Sequence, residues 1–421
     1  MRLSTIFFTA LLLFICPFSL LSQSQSSQLI FFEKGDLQQL IDEAPQYAEI
    51  RFDRNIQHTL STPLLVRKPL ILRGLNLLLP DSLGDTPLLE VEAAHVVITD
   101  FVMTGNAATV SQQERAPLLV IKANDFTVER GQFYNSSKEG ISIEADTLDV
   151  VGGVVRDILG RGVMRDLVSI NGGYNGKKAR NILVENIRNY QSALRGAVEV
   201  SNGTDNITVR KVFAQECAYA VDVQDHRNDQ QVNQYVVLED IYALDCRHAI
   251  RTANIPIGHH NLSIRNVTAE RCTRPLQISH TDMVSLEGVR ILDHPEGEYP
   301  PLDINNCEGL SISDVKVRNS DFDGPALLIK DSEKVVVDGL MLMDENSALT
   351  QAVHYLLSSG EAFSGLKITN VVAPHFENEG ILLSVTEKGG KLSDYLISGN
   401  LCTVKDEIQS ASGTVRNNLG E

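Results

Sequence analysis

Six polar or charged residues recur at intervals of about 25 residues and share one position of a repeated pattern: Ser169, Glu199, Asp222, Arg251, Gln277 and Asp303. Arg195 and Arg247 lie close to this row in the sequence. Arginines hold anionic ligands, and carboxylates move protons, accept hydroxyl hydrogen bonds or bind cations. If the row comes together in space, it forms a site for chemistry on an acidic, hydroxyl-rich molecule.

Histidines are concentrated around this row. Five of the ten fall within three repeats centred on Arg251: His226, His248, His259, His260 and His280. Because imidazole can act as a general base near neutral pH, His226 and His260 are the candidate bases. Two structural explanations stay open: turns of a solvated repeat protein are often polar, and the acids of the row can simply be neutralised by nearby arginines.

The elements that would position these residues are short strands in a repeat. Eight segments share a template with an apolar residue at the second, fourth and seventh places, and they begin at residues 181, 206, 235, 261, 283, 309, 334 and 365. Each repeat holds a second stretch in which apolar and polar residues alternate, such as Tyr219–Val223. Alternation with period two is typical of a strand. Short strands with Asn, Asp and Gly at the corners indicate the coils of a parallel β-helix.

The predicted fold is therefore all-β, a parallel β-helix of about 11–13 coils. A leucine-rich repeat would need a Leu-rich consensus and a helix in each unit, and neither is present. Residues 35–45 are predicted to form a short N-terminal capping helix with Asp36 as its N-cap. Since each residue pairs with its equivalent one coil away, the row should form one outward-facing line of side chains about 5 Å apart, here called the polar stripe.

Loops and cysteines also follow from this register. Three long turns, 156–178, 224–234 and 253–260, are predicted beside the polar stripe. Cysteines occupy the same phase of three successive coils and should stack as buried thiols: Cys217, Cys246 and Cys272. A disulfide between neighbours is also compatible with this spacing and with export. Zinc binding is not indicated, because the paired Cys and His spacings are missing.

The N-terminus predicts export. Residues 1–22 have the pattern of a signal peptide, and an uncleaved membrane anchor is the alternative. Residues 23–421 would then be a single domain in the periplasm or outside the cell, without a membrane partner after cleavage. The formal net charge of −17 excludes a basic protein that coats polyanions, and no nucleic-acid-binding motif is present.

From about residue 35 to 400 the chain resembles the pectate-lyase-like superfamily of single-stranded, right-handed parallel β-helices. The resemblance rests on the N-terminal helix and on the strands Glu49–Phe52 and Pro69–Gly74. It implies a carbohydrate-active protein, since the superfamily contains polysaccharide lyases, glycoside hydrolases, epimerases, esterases and phage tailspikes. The segment Tyr219–His226 is loosely similar to a signature of alginate C5 epimerases. Gly258–His260 resembles one polygalacturonase element, but the Asn-Thr-Asp, Asp-Asp and Arg-Ile-Lys elements of those hydrolases are missing.

The residues and the resemblance together favour a lyase that acts on a uronic-acid-containing polysaccharide or oligosaccharide, sulfated or unsulfated. Elimination at C4–C5 would expel either a sugar or water. The arginines would bind the substrate carboxylate, and a histidine would remove the C5 proton. The expected catalytic residues are Arg251, His226, His260 and Arg195, and the expected substrate-binding residues are Glu199, Asp222, Arg247, Gln277 and His280.

The sequence leaves three interpretations of these residues open. The carboxylates of Glu199 and Asp222 could bind calcium or contact hydroxyl groups. They could instead be the pair of a glycoside hydrolase, which needs two carboxyl groups about 5–9 Å apart, with Asp225 as a further candidate. The third reading is a non-catalytic β-helix that binds glycan.

Overall fold

The structure is a computed structural model that describes residues 28–84, 86–109, 115–173, 176–226, 231–253, 258–343, 348–373, 382–407, 413–416 and 418. The predicted signal peptide, residues 1–22, lies outside these ranges, as do parts of all three predicted long turns. No helix within the described ranges is long and apolar enough to cross a membrane.

The described chain consists almost entirely of short strands. One α-helix, α1, spans Leu37–Glu43, and a 3-10 turn spans Asp81–Leu83. The strands are β1 Leu29–Phe31, β2 Glu49–Arg51, β3 His58–Thr59, β4 Leu64–Val66, β5 Ile71–Arg73, β6 Asn76–Leu78, β7 Leu89–Val91, β8 Val97–Thr99, β9 Val102–Thr104, β10 Leu119–Ile121, β11 Phe126–Tyr134, β12 Ile141–Glu144, β13 Val150–Arg161, β14 Val168–Asn171, β15 Ala179–Tyr190, β16 Gly196–Ser201, β17 Asp205–Gln215, β18 Tyr219–Gln224, β19 Gln234–Leu244, β20 His248–Ala253, β21 His259–Glu270, β22 Leu276–Ser279, β23 Thr281–His294, β24 Leu302–Asn305, β25 Glu308–Ser320, β26 Pro325–Lys330, β27 Glu333–Leu342, β28 Gln351–Leu357, β29 Ala362–Thr369, β30 Leu382–Glu387, β31 Lys391–Ser398, β32 Thr403–Glu407 and β33 Thr414–Arg416.

These strands form two parallel sheets. The 14-stranded sheet contains β4, β7 and the even-numbered strands from β10 to β32, and the remaining strands form the 19-stranded sheet. Successive strands of each sheet pair in parallel, for example Val198 with Val221 and Val221 with Ile250. Each strand thus pairs with its equivalent one coil away, and the chain makes about 12 turns. The predicted parallel β-helix is confirmed.

The core lies between the two sheets. Inward positions of the 14-stranded sheet are fully buried, as the alternation predicts: Val198, Val221, Ile250, Leu276, Leu302 and Leu327. Burial of a branched aliphatic side chain contributes about 1.5–3 kcal/mol relative to exposure. Because every coil repeats this layer, apolar burial is continuous along the solenoid and fixes which side of each strand faces out.

The corners of the 19-stranded sheet explain the template. Its first and sixth places have left-handed backbone, with φ of 58° at Asn181 and 53° at Asn186. Asn and Gly tolerate this conformation best, which accounts for Asn266 and Gly288 at the sixth place of later coils. The Asn266 amide also donates to the Asp240 carboxylate on the preceding coil at 3.1 Å.

The N-terminal cap forms as predicted. Asp36 accepts a hydrogen bond from the backbone N–H of Gln39 at 3.0 Å, which begins α1. Ile41, on the inner face of this helix, is fully buried and joins the first core layer. The helix therefore covers apolar surface that would otherwise face water at the end of the solenoid.

One of the three predicted long turns was wrong, and the predicted buried thiols are present. The segment 156–178 is not one long turn, because β13 continues to Arg161 and β14 begins at Val168. Five cysteines in the described ranges are free and buried, including those predicted to stack: Cys217, Cys246, Cys272, Cys307 and Cys402.

Candidate active site

The polar stripe has the register that the sequence predicts. On neighbouring strands of the 14-stranded sheet, Ser169 pairs with Glu199, Glu199 with Asp222, and Asp222 with Arg251. The row continues through Gln277 to Asp303. Their neighbours along each strand fill the core, so these side chains project outward.

Glu199 is the centre of a hydrogen-bond network. Its Oε2 accepts from the Ser169 hydroxyl at 2.7 Å. Its Oε1 lies 2.6 Å from Nε2 of His226 and directly contacts donors of Arg195 and Gln224. Since four side chains converge on one carboxylate, the position of the His226 ring and of the Arg195 guanidinium is set by Glu199.

A second carboxyl group lies under Arg195. Oδ2 of Asp166 is 3.9 Å from Nη1 of Arg195, and Oδ1 accepts from the Tyr219 hydroxyl at 2.7 Å. Oδ1 is also 3.3 Å from the backbone N–H of Gly196. Asp166 is fully buried and Tyr219 almost so.

Arg251 forms the neighbouring part of the site. Its Nε donates to Oδ1 of Asp222 at 2.9 Å, and a terminal nitrogen contacts the other carboxylate oxygen. The same terminal nitrogen donates to Oε1 of Gln224 at 3.0 Å, and the guanidinium lies 5.3 Å from the centre of the Tyr219 ring. Gln224 thus joins the Glu199 network to the Asp222–Arg251 pair.

Exposure separates these groups into two layers. The side chains of Arg195, His226 and Arg251 are 22%, 27% and 26% exposed. The carboxylates of Glu199 and Asp222 are 1% and 0% exposed. A ligand lying along the polar stripe, on the outward face of the 14-stranded sheet that is called the groove below, would therefore meet two guanidinium groups and an imidazole, with the acids beneath them.

The two buried acids near Arg195 titrate in opposite directions. Burial acts to raise the pKa of Glu199, but the hydrogen bond and charge of His226, together with Arg195, outweigh it and hold the pKa at about 2. Burial and the adjacent charge of Glu199 raise the pKa of Asp166 well above its ordinary value. Glu199 is therefore ionised, while Asp166 keeps its proton to higher pH than an ordinary aspartate.

A cavity of about 380 Å³ opens beside Glu199 toward the N-terminal coils. Its lining residues come from four successive coils: Lys138, Glu139, Ser142, Glu144, Asp146, Arg165, Asn171, Gly172, Glu199, Asn202 and His226. The Asn202 side chain accepts from the backbone N–H of His226 at 3.1 Å and so holds the His226 backbone at the cavity edge.

Two other predicted site residues, His260 and His280, lie outside the Glu199 network. His260 belongs to the 19-stranded sheet, where its Nδ1 is 3.3 Å from the Asp282 carboxylate, and His280 lies 3.3 Å from the Asn306 amide. Neither histidine contacts Glu199 or Arg251 among the described contacts. Only His226 of the two candidate bases is thus brought to the network.

Arg247 and Gln277 flank the site on its C-terminal side. Gln277 lies in the polar stripe directly after Arg251. Arg247 is exposed, with its guanidinium 6.0 Å from the centre of the Tyr299 ring, and Arg274 lies 4.1 Å from the same ring. Both predicted substrate-binding residues therefore border the groove, one coil or less from Arg251.

The donor set does not fit calcium. Ca²⁺ takes six to eight oxygen ligands, mostly carboxylates and carbonyls. The Glu199 carboxylate is already in contact with Arg195 and His226, and Asp222 is bound by Arg251. Within the described ranges, no group of three or more His, Cys, Asp or Glu side chains is placed to hold a metal.

Sequence reasoning missed several members of the site. Gln224 lies two residues after Asp222 on the same strand, so period-two alternation would have placed it beside the polar stripe. Asp166 fell in a segment interpreted as a long turn, and Tyr219 has the same strand phase as the core-facing Val221, so it was not predicted as a site residue. The acids of the cavity come from β12 and its turns, which match the repeat template poorly.

The chain is similar to known proteins at the level of structure. No protein-family model and no curated protein matches the chain. A variant of the periplasmic alginate epimerase AlgG is similar at 10% identity and a TM-score of 0.44, covering 93% of this chain and 85% of its own. The A-module of an Azotobacter vinelandii mannuronan C-5 epimerase is similar at 12% identity and a TM-score of 0.42, covering 93% and 91%. A GH87 alpha-1,3-glucanase catalytic domain is similar at 11% identity and a TM-score of 0.44, covering 94% and 70%.

Similarity at this level carries no argument about substrate or reaction, and the fold is established by the strands themselves. Both sheets are parallel, successive strands pair one coil apart, and a helix covers the N-terminal end. The chain is a parallel β-helix, as its sequence predicts.

Proposed function

We propose that this protein is a secreted or periplasmic lyase that acts on a uronic-acid-containing glycan by elimination at C4–C5. One observation carries the proposal: the groups that reach the groove are two arginines and a histidine, whereas Glu199 and Asp222 are shielded beneath them. Two cations that are linked through Glu199 and Gln224 suit the carboxylate of a uronate, and an adjacent imidazole suits removal of its acidic C5 proton.

The carboxylate of the substrate would be held by Arg195 and Arg251. Neutralising this group makes the C5–H bond more acidic, because negative charge develops on the carboxylate as the proton leaves. Each guanidinium is anchored by a buried acid, Glu199 or Asp222, and the Gln224 side chain links the two halves. The site is thereby organised before substrate binds.

His226 would take the C5 proton. In the tautomer with its proton on Nε2, which lies 2.6 Å from Oε1 of Glu199, the ring has its basic lone pair on Nδ1 and can accept the C5 proton there. The electron pair of the C5–H bond forms the C4–C5 double bond, and the bond from C4 to the leaving oxygen breaks with its electron pair moving to that oxygen. The leaving group, a sugar hydroxyl or water, takes one proton from solvent as it departs, and the imidazolium of His226 later releases the C5 proton to solvent. Atoms and charge balance without an external oxidant or metal.

A glycoside hydrolase is the second candidate, supported by a specific observation. Asp166 and Glu199 are two carboxyl groups near the Arg195 guanidinium. The pKa of Asp166 is raised and that of Glu199 is lowered, as in acid and base pairs of hydrolases. Their burial argues against this function, because Asp166 is fully buried and Glu199 is 1% exposed. Asp166 does not line the cavity, and Glu199 borders it with only 1% of its side chain exposed.

Ultraviolet absorbance tests the proposal. The purified chain is incubated with a panel of uronic-acid glycans, and the conjugated double bond of an unsaturated uronate is followed. His226→Ala should lower the rate about 10²–10⁴-fold, the usual contribution of a general base. His95→Ala, at an exposed histidine on a distant coil, is the matched control.

Three results would contradict the proposal. New reducing ends without a double bond would indicate hydrolysis. Binding without turnover of any glycan would indicate the non-catalytic glycan-binding function. The third result is loss of activity in both single variants, Glu199→Gln and Asp166→Asn, with full activity in Arg251→Ala; this pattern would favour the hydrolase.

A further inference from the structure

Basic side chains follow one edge of the 14-stranded sheet, where its strands begin. Five of them occupy equivalent places on the coils from β12 to β22 and are here called the basic row: Lys138, Arg165, Arg195, Arg247 and Arg274. Backbone hydrogen bonds connect these places, from the Arg165 N–H to the Lys138 carbonyl at 3.1 Å and from the Arg274 N–H to the Arg247 carbonyl at 2.8 Å. The basic row therefore has the spacing of the coils, about 4.8 Å.

Arg251 supplies the cation on the coil of β18, which has no member of the basic row. The equivalent residue there is Ala218, whose backbone N–H donates to the Arg195 carbonyl at 2.8 Å. The Arg251 guanidinium contacts Asp222 of this coil and lies 5.3 Å from the centre of the ring of Tyr219, which follows Ala218. A cation is thus present on each of six successive coils, which span about 24 Å from first to last.

Lys138 and Arg165 form the N-terminal part of the basic row. Their side chains are 32% and 26% exposed and line the cavity beside Glu199. Beneath them they share Glu139, 3.6 Å from Nζ of Lys138 and 3.2 Å from Nη1 of Arg165, and its side chain is only 6% exposed. This arrangement repeats that of Arg195 over Glu199, since a buried acid positions cations that stay accessible to a ligand.

Arg247 and Arg274 form the C-terminal part of the basic row. Nη2 of Arg274 lies 2.5 Å from Oδ2 of Asp303, and these side chains are 18% and 15% exposed. Arg247 is exposed, and the outward residue of its strand is Arg251 rather than an acid. Both guanidinium groups lie near the Tyr299 ring, at 6.0 Å and 4.1 Å from its centre. A uronate held by Arg195 and Arg251 therefore has further cations on both sides of it along the sheet.

The remaining acids of the cavity lie at the other end of strand β12. Glu144 is the last residue of this strand and Asp146 follows it, exposed, whereas Lys138 precedes the strand. Glu144 accepts a hydrogen bond from the Ser142 hydroxyl at 2.8 Å. A glycan in the cavity would turn its acid groups toward the basic row and its hydroxyl groups toward Glu144 and Asp146, because like charges repel and carboxylates accept from hydroxyls.

We infer that the basic row binds acid groups of a glycan on both sides of the reacting uronate, so that the chain is held and broken internally. The inference rests on the proposed function, which places the reacting uronate between Arg195 and Arg251. It defines the substrate as a polysaccharide with acid groups, carboxylate or sulfate, on several sugars. The leaving group is then a sugar rather than water, because dehydration of a terminal uronate would leave the cations on one side without a ligand.

Binding of oligosaccharides to the His226→Ala variant, used to prevent turnover, tests the inference. The probes are trisaccharides and hexasaccharides of galacturonate, mannuronate, hyaluronan and chondroitin sulfate. We expect the hexasaccharide of at least one of these glycans to bind at least about tenfold more tightly than its trisaccharide. Only the longer chain can contact both parts of the basic row at once.

Two sets of substitutions, each added to His226→Ala, remove one part of the basic row. The C-terminal set is Arg247→Gln with Arg274→Gln. The N-terminal set is Lys138→Gln, Glu139→Gln and Arg165→Gln, in which the buried acid is neutralised together with its cations so that it is not left unpaired. Each set should weaken hexasaccharide binding about tenfold, because each removes two accessible cations.

Two controls separate binding by the basic row from general effects of charge or folding. Glu139→Gln alone keeps both N-terminal cations and should bind the hexasaccharide at least as tightly as the parent variant. Arg265→Gln with Arg290→Gln, at two exposed arginines of the 19-stranded sheet, should leave binding unchanged.

Weaker binding in only one of the two sets would show that the glycan extends to one side, and it overturns the inference. Equal binding of trisaccharide and hexasaccharide for every glycan, no binding of any probe, or an equal loss in the Arg265 and Arg290 control also overturns it.

Chain length during turnover separates this inference from the proposed function. Internal cleavage by the wild-type chain should shorten the average polysaccharide, measured by size-exclusion chromatography, while the absorbance of the new double bonds is still small. Absorbance that rises while the average length stays near its starting value would retain the lyase and overturn internal cleavage. No absorbance with any glycan would refute the lyase, and hexasaccharide binding would then decide the role of the basic row by itself.

Discussion

Replacing His248 by glutamine should remove part of the acid sensitivity of the fold. His248 begins strand β20, is 2% exposed, and its Nδ1 has no hydrogen-bond partner among the described residues. Burial is the main cause that lowers its pKa from 6.5 to about 3, and the charges of Arg251 and Arg247 add to it. The ring is therefore neutral in the folded chain at every pH at which the fold is expected to persist.

The direction in which stability changes with pH follows from the protons that the folded and unfolded chains bind. Below pH 6.5 the unfolded chain protonates this histidine and the folded chain does not, so the free energy of unfolding decreases as the pH falls toward 3. Between about pH 7.5 and about pH 5, the loss is about 2 kcal/mol for one such histidine. Buried His259, whose pKa is lowered to about 4, adds a similar loss that stays the same in the variant.

Urea unfolding at the two pH values measures this effect. The free energy of unfolding of His248→Gln should fall by about 2 kcal/mol less than that of the wild type over this interval. His95→Gln, with a side chain 55% exposed, is the control and should behave as the wild type. If His248→Gln loses as much stability as the wild type, the folded-state imidazole is not held neutral by burial and the reasoning fails.

Three further predictions concern the candidate site. In the wild type, the raised pKa of Asp166 keeps a proton on the folded chain, so the free energy of unfolding should fall as the pH rises above about 4. Asp166→Asn should remove this fall. Unfolding of both chains is measured across this pH range, and identical slopes of unfolding free energy against pH would contradict the prediction. Arg251→Ala should lower the free energy of unfolding, measured in urea, by about 3–5 kcal/mol, because it leaves the buried Asp222 carboxylate without its cation. Asp222→Asn should lower it less, because the Arg251 side chain is 26% exposed and stays in contact with water. Equal losses in the two variants would be inconsistent with buried acids beneath exposed arginines. Gly172→Ala should abolish stable folding or lower the melting temperature strongly, because a Cβ there would lie 1.8 Å from the Asn202 carbonyl oxygen, and a wild-type melting temperature would refute this close approach.

The fold was predictable because one constraint repeats. Apolar residues in alternation fix the inward face of every coil, and Asn or Gly at left-handed corners fixes where each strand bends. Since stacking places equivalent residues side by side, the register of Glu199, Asp222 and Arg251 also followed from the repeat.

Contacts between different phases of the coil were not predictable in this way. Whether His226 or His260 reaches Glu199 depends on the path of the turn after each strand, and no periodicity describes a turn. The approach of Asp166 to Arg195 likewise joins a residue before β14 to one before β16. Burial of the acids beneath the arginines depends on side-chain conformation, which hydropathy does not encode.

The concentration of the site on a few adjacent coils has a consequence for how the molecule tolerates change. All residues of the network and the cavity come from the coils of β12 to β20, and within the described ranges each of these strands pairs with its equivalents on the neighbouring coils. Loss of whole coils after β28 would therefore shorten the solenoid without disturbing the chemistry, provided that a new cap covers the exposed layer. Insertion of one coil between β18 and β20, in contrast, would separate Asp222 from Arg251 and divide the site while leaving the rest of the architecture intact.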